Sequence, residues 1–401
     1  MIKTMKIALL CSGLGNVYRG HEVFASDLFG LLRDAVDITL FKGGGEPAAR
    51  EWVIDNIPRN ADCLKQIHVA VAPKWAGSVK ESERCRIEGE TFAYAALRPL
   101  LEGDFDVIHC LEWDVCNILY DQRHLFKKTP KILFSNGGAI PARDLPRCDF
   151  VQEHTRQNLK FSARSKSFMI PHGVNLDLFH PSVKSDFRAR HGIPAGAFVV
   201  ISVGVISYAH KRMDYVIREV AAVKDACLIV VGQENKDSGE IKAMGERLMG
   251  NRIVFTRLPH SDLPLAYAAA DVFALGSRFE TFGIVYVEAM AMGLPVICTN
   301  HVNQRDIVKE GIFIDIMKPG ALTHALQDTS RSVFAELGRR GREVATTYYD
   351  LDVLKGQYIE RYQAIAASAC TLPTYSVKSK LISNFKNLLK QTAGLAYGRA
   401  E

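Results

Sequence analysis

The sequence predicts an α/β protein built from two doubly wound, parallel-sheet domains that face each other across a cleft. Three observations lead there. Short β-rich apolar runs alternate with helical patterns along most of the chain, which is how parallel sheets covered by helices read. The alternation pauses at the turn-forming residues Pro171, Gly173, Pro181, Gly192, Pro194 and Gly196, and then restarts. Each half opens with a strand that runs directly into a glycine turn, as doubly wound domains do. The 401 residues suit this reading, because domains of ~150 residues are typical. The expected units are 1–182 and 183–365, followed by a helical tail over 366–401.

The elements follow in order. Lys6 to Cys11 is a strand that ends in the glycine loop Ser12 to Asn16. A helix is expected from about Glu22 to Asp34, with Val23, Leu28, Leu31 and Leu32 on its apolar face. Further strands are expected at 36–41, 106–110, 131–135 and 167–170, before the pause. The second half reads as strands at 198–204, 227–231, 252–255, 271–275 and 295–298. Ligands of such domains lie in the cleft, at the C-terminal ends of the strands.

Composition narrows the function classes. The chain is 48% hydrophobic and 23% charged, which excludes a disordered or collagen-like protein. A net charge of +6 suits an anionic ligand or an anionic membrane surface. It is too dispersed for nucleic acid. The nine cysteines include no CxxC pair, so they read as reduced core residues of a cytoplasmic protein, with neither a disulfide framework nor a zinc site. The longest apolar run, 198–206, is about half of what a bilayer span needs.

The chemistry concentrates between Asp271 and Asn300. A strand ends at Leu275, a loop follows, and a helix is expected from about Phe282 to Met292, stopped by Gly293. Its first amides, on Phe282, Gly283 and Ile284, would point into the cleft with the positive end of the helix dipole, and that is a phosphate site. Glu280 and Glu288 bracket it. Beside bound phosphates a carboxylate repels a second anion and suits a sugar hydroxyl. Glu288, inside the helix, has two oxygens that suit a vicinal diol such as ribose. Alone, Glu280 could be a helix-start residue and Glu288 a solvated face residue, although Val285, Val287, Ala289 and Met290 make poor company for a casual surface charge.

The string from Glu280 to Ile297, ETFGIVYVEAMAMGLPVI, closely resembles the Glu-x7-Glu signature of the retaining glycosyltransferases of family 4, which have the GT-B fold of two Rossmann-like domains. Ile170 to Asn175, with Phe179 and Pro181, is similar to that family's interdomain segment. Leu263 to Asp271 and Val203-Gly204 with Lys211 also resemble its motifs, and Gly13 to Glu22 does so more loosely. The likeness covers roughly residues 5 to 365.

The resemblance implies a donor that is a nucleoside diphosphate sugar, UDP- or GDP-linked, and no required cofactor or metal. It implies that Lys211, helped by Arg212, binds the diphosphate, that Glu280 and Thr281 lie at the transferred sugar, and that Glu288 holds the ribose. The Gly13–Gly15 loop would close over the diphosphate from the first domain. The acceptor would be a carbohydrate or a lipid-linked glycan precursor, with Arg19, His21, His109 and Glu112 as candidate contacts or proton carriers. Two departures stand out. Val205 occupies the place of the family's usual arginine, and Asn136 that of a frequent histidine. Asparagine can hydrogen-bond a sugar hydroxyl but cannot titrate. Asp104-Phe105-Asp106 precedes its strand and reads as loop solvation, not as a metal site. A nucleotide-sugar epimerase or hydrolase of the same fold, or a non-catalytic sugar-nucleotide-binding subunit, stays open as an alternative. A nicotinamide enzyme does not fit, because the loop at Gly13 lacks the third glycine and Lys42 stands where an acid should hold ribose. In the tail, apolar residues and lysines recur at helical spacing over 376–392. The helix ending near Ala369 is expected to pack back across the first domain, whereas 376–392 reads either as a continuation of that packing or as a peripheral helix on the inner membrane face.

Overall fold

The computed structural model describes residues 5–17 and 19–369. The first sheet contains β1 (Lys6–Cys11), β2 (Asp37–Lys42), β3 (Glu51–Val53), β4 (Val107–Cys110), β5 (Lys131–Ser135), β6 (Phe150–Glu153) and β7 (Ser167–Met169). The second contains β8 (Phe198–Val203), β9 (Ala226–Val231), β10 (Ile253–Thr256), β11 (Val272–Leu275), β12 (Val296–Thr299) and β13 (Ile312–Ile314). The orders are β3-β2-β1-β4-β5-β6-β7 and β10-β9-β8-β11-β12-β13, and the paired strands run parallel. Both sheets therefore reverse their winding direction at a switch point, β1/β4 in the first and β8/β11 in the second. Crevices open at such points.

The strands are apolar on both faces because helices cover both. Ile7, Leu9 and Cys11 of β1 pack into one core, and Ala8 and Leu10 pack into another on the opposite face. The second sheet splits in the same way, with Val199, Ile201 and Val203 on one side and Val200 on the other. Alternation along each strand assigns the side.

Two strands of chain join the halves. Val174 donates its amide to the Tyr349 carbonyl at 2.7 Å, and Leu351 returns the bond to Val174 at 3.3 Å. The helix Leu351–Ala367 then crosses to the first sheet. It buries Leu354, Tyr358, Tyr362 and Ile365 with Leu133, Phe168 and Ile170. Each such side chain contributes about 1.5–3 kcal/mol through burial. This helix starts inside the range expected for the second unit, yet it packs as part of the first. The tail reading over 376–392 lies outside the described residues. Among the described residues no helix is long and apolar enough to cross a membrane.

Several boundaries shift. The 31-residue helix Pro73–Gly103 and the strands β3, β6 and β13 do not stand out in the sequence pattern. The helix expected over 282–292 runs from Ile284 to Ala291. Cys63 is exposed, against the expectation of core cysteines, whereas Cys11, Cys110, Cys227 and Cys298 are buried, and all are free thiols.

Candidate functional site

The loop after β11 leads into the helix Ile284–Ala291 through Gly283, which takes φ +82° as the N-cap. Only glycine adopts that conformation cheaply. A Cβ there would also meet the Tyr286 ring at 2.8 Å and Glu280 Cγ at 3.2 Å. Among the described residues the amides of Phe282, Gly283 and Ile284 donate to no group of this chain, so they remain available at the positive end of the helix.

Glu280 lies beside them, 5% exposed. Its Oε1 accepts from Lys211 Nζ at 2.6 Å, and its Oε2 lies 3.6 Å from His210 Nε2. Burial alone would raise its pKa, but the Lys211 charge overrides this and holds the carboxyl at about 2. Glu280 is therefore ionised at any physiological pH and can accept hydrogen bonds but not donate a proton. Lys211 comes from the loop after β8, and its methylene stem lies against Gly204. The Glu280 carbonyl accepts from Asn303 Nδ2 at 2.9 Å, and the Thr281 carbonyl accepts from Asn158 Nδ2 of the first domain at 3.4 Å.

Glu288 is 2% exposed. Tyr267 Oη donates to its Oε2 at 2.8 Å, and His260 Nε2 bonds its Oε1 at 2.7 Å. Burial opposes a charge on His260, yet the Glu288 bond and nearby Asp27 raise its pKa overall. Asp27 belongs to the first-domain helix Gly20–Leu32. Burial, opposed by His260 and assisted by Glu288, pushes its carboxyl up to about 6.

The loop after β1 leads to the helix Gly20–Leu32, whose Gly20 lies near the Ile284 side chain. Gly15 sits at φ +91°, where a Cβ would collide with Gly44 at 2.2 Å, and Asn16 Nδ2 donates to the Gly43 carbonyl at 2.7 Å. The two glycine loops therefore interlock. Ser12 donates its amide to Glu112 Oε1 at 2.7 Å and its hydroxyl at 3.0 Å. Burial, with Glu22 and Glu88 nearby, still raises the Glu112 carboxyl to about 7. Arg59 pairs with Glu88 and lies 3.9 Å from Glu22.

Residues 183–332 match the family model described as glycosyl transferases group 1. The D-inositol 3-phosphate glycosyltransferase 1 of Catenulispora acidiphila is 30% identical over 266 residues, which is 57% of this chain and 63% of that relative. The chain thus spans less than two thirds of the length of that curated relative. Two solved structures share the fold. Sucrose-phosphate synthase from Thermosynechococcus elongatus superposes with a TM-score of 0.73 at 20% identity, covering 91% of this chain and all of that one. The Anabaena protein HepE, in complex with UDP and glucose, gives 0.69 at 16% identity, covering 90% and all. The described residues have the GT-B fold expected from the motifs.

Within the second domain the structure brings Lys211, Glu280, Thr281, Gly283 and Ile284 together and sets Glu288 one helical turn further on. Arg212 is turned elsewhere. It caps the helix Met213–Ala221 at φ +48°, and its Nε pairs with Asp214 at 3.2 Å. Two of the candidate residues in the first domain have their partners inside the chain. Asn136 is 1% exposed, and its side chain closes a turn: Nδ2 donates to the Ile140 carbonyl and to Glu153, and Oδ1 accepts from the Ile140 amide. Both hydrogens of its amide are thereby used within the chain. His109 is fully buried, with Nδ1 bonded to Tyr362 Oη and Nε2 to Ser135 Oγ, both at 2.7 Å. It braces the crossing helix and does not meet an acceptor. Arg19 is half-exposed and pairs with Glu81 at 3.2 Å. His21 lies against Gly137, and burial, then Arg59, lowers its pKa to about 4. Asp104 and Asp106 stand before β4 as expected. Asp106 accepts from the Lys6 amide at 2.9 Å and pairs with Lys128.

Sequence reasoning missed His210, His260, Asn158, Asn303 and Asp27, and gave no role to Tyr267 inside the Leu263 to Asp271 motif. The only available signal was His260-Ser261-Asp262 just before the Leu263 to Asp271 motif, and it carries no spacing rule.

Proposed function

We propose that the chain is a retaining glycosyltransferase that moves a sugar from a UDP- or GDP-linked donor to a hydroxyl of a carbohydrate or lipid-linked acceptor. The observation that carries this reading is the Gly283 turn. It presents three free amides beside Lys211, between two buried glutamates that are ionised or strongly hydrogen-bonded. The amides and Lys211 match a diphosphate, and the carboxylates match hydroxyls. The relative's name as a glycosyltransferase and the neighbour's complex with UDP and glucose support the same reading.

In the proposed reaction the anomeric carbon leaves the diphosphate through an oxocarbenium-like transition state. Lys211 and the helix terminus stabilise the departing charge. Lys211 has three donors, so it can hold Glu280 and still reach phosphate. Glu280, fixed as an anion, accepts from a donor-sugar hydroxyl. The leaving phosphate takes the acceptor's proton on the same face, which retains configuration without a metal. Glu112, with its high pKa and its place after β4, lies on the acceptor side.

Full-length protein should be screened by thermal shift against nucleoside diphosphate sugars. A ligand at 100 times its Kd adds about 2.7 kcal/mol. Donor consumption is then followed with and without acceptor, and the anomeric configuration of the product is read by NMR. Transfer with retention is expected. Donor cleavage that ignores every acceptor would make the chain a hydrolase, and an inverted product would refute retention. Glu288→Ala should mainly weaken nucleotide affinity and Lys211→Ala should mainly slow turnover.

A further inference from the structure

We infer that His260 is a positioning residue, which holds the Glu288 carboxylate in the one orientation that can grip the ribose diol of the donor. The inference rests on the reading of Glu288 given above.

Glu288 is a nearly inaccessible carboxylate on an otherwise apolar helix, and such a group needs hydrogen bonds on both oxygens. Its two partners differ in kind. Tyr267 is fully buried and wedged between Phe179 and Phe273, with ring centroids 6.1 Å from each. Its bond to Oε2 therefore anchors the protein side of the carboxylate. The His260 side chain keeps 27% of its surface exposed, so its bond to Oε1 lies at the mouth of the site. A carboxylate oxygen has two lone pairs. With one lone pair of each oxygen tied, the carboxylate cannot rotate, and its remaining lone pairs have fixed directions.

The groups that face His260 come from four elements. Glu288 lies on the helix Ile284–Ala291, and Asp27 reaches over from the first domain. Tyr267 lies on the helix that follows His260, and Phe179 packs against the imidazole at 5.3 Å. The carboxylates on two sides keep Nε2 a donor toward Glu288. His260 touches neither phosphate nor the reacting carbon in this arrangement, so it acts only through Glu288.

The test is calorimetric titration of full-length protein with UDP and 2′-deoxy-UDP, or with the guanine pair if GDP is the nucleotide bound. The proteins are wild type, His260→Ala, His260→Gln and Glu288→Ala. Wild type should prefer the ribonucleotide by about tenfold or more, the worth of a hydrogen bond to a charged group. His260→Ala should lose most of that preference while binding the deoxynucleotide within about threefold of wild type. His260→Gln, which still donates, should recover much of it. A purely structural role would weaken both nucleotides alike and leave the ratio unchanged. If His260→Ala does not fold, His260→Leu fills the volume without a donor and carries the same comparison. A ratio unchanged in the His260 variants but lost in Glu288→Ala overturns the inference and leaves the donor reading intact. No preference in wild type, or a full preference in Glu288→Ala, overturns the reading of Glu288 itself.

Discussion

At Lys211 and Glu280 two opposite charges share a space that water barely reaches. The pair is worth little as a source of stability, but breaking it from one side is costly, because the survivor is a buried charge without a partner. Lys211→Met should therefore destabilise the protein by about 3 kcal/mol at pH 7, and the double variant Lys211→Met/Glu280→Gln should regain part of that loss. The pH dependence has a defined sign. In the wild type the Glu280 pKa is depressed from 4.5 to about 2, so its contribution is full above the unfolded value and fades as pH falls through 4.5 toward 2. In Lys211→Met burial raises the carboxyl instead, so the variant suffers most where the wild type gains most. The gap between the two melting curves should close as pH drops over that range, and a gap independent of pH would mean that Glu280 is not the group left stranded. Lys211 and Glu280 could be singled out in the sequence because each lies in a recognisable motif. Their mutual 2.6 Å bond was not, because 69 residues separate them and only the adjacency of β8 and β11 brings them together.

Among the elements, the helix Ile284–Ala291 depends on one conformational choice. Gly283→Ala places a Cβ at φ +82° against Tyr286, which costs ~1–2 kcal/mol in backbone strain before any clash. Melting should fall by a few degrees. Nucleotide affinity should fall by about tenfold or more, because the three amides change direction with the turn. An alanine variant that melts lower but binds nucleotide normally would separate the turn from the ligand. The same scale explains which elements the sequence hid. Strand β9 is a continuous apolar run, β1 and β8 are nearly so, and they read at once. Strand β6 carries Gln152 and Glu153, which look like loop residues, but Gln152 Nε2 donates to Tyr358 Oη at 2.8 Å and Glu153 accepts from Asn136. Their burial is satisfied only by residues far away in sequence. Strand β3 is three residues at the sheet edge with Trp52 exposed, too short for an alternation to show. The helix Pro73–Gly103 includes Pro99, Gly77 and Gly89 and is mostly polar over its first half, so its period is faint. The crossing helix Leu351–Ala367 makes its own demand. Tyr362→Phe keeps the packing but strips the partner from His109 Nδ1, leaving a buried polar atom unpaired, at about 1–3 kcal/mol. Chemical denaturation should detect that loss, whereas Tyr348→Phe, on a half-exposed ring, should not change stability.

For the whole molecule the question is how two domains with separate cores present one cleft. The paired chain at Val174 and Tyr349 to Leu351 joins them, but the loop from Glu280 to Gly283 is held by polar contacts from both sides. Asn303 of the second domain donates to the Glu280 carbonyl at 2.9 Å and to Asn158 Oδ1 at 3.3 Å, and accepts from Thr155 Oγ1 at 3.3 Å. Asn158 of the first domain in turn donates to the Thr281 carbonyl. The loop backbone that ends in the three free amides is thus fixed by residues of both domains. No periodicity or motif announces Asn158 or Asn303, because each acquires its meaning only when the domains meet. This geometry predicts an order of effects. Asn303→Ala removes the second-domain grip and the link together, and should raise the donor KM by about tenfold while costing ~1–2 kcal/mol of stability. Asn158→Ala leaves the Asn303–Glu280 bond in place and should raise KM by about threefold, with a similar stability loss. Steady-state kinetics beside denaturant titration checks both. If the two variants lose donor affinity equally, the link between domains, and not the grip on Glu280, orients the loop. If neither does, the loop is held by the packing of Phe282 against His172 and Tyr349, and Phe282→Leu becomes the variant that should weaken donor binding.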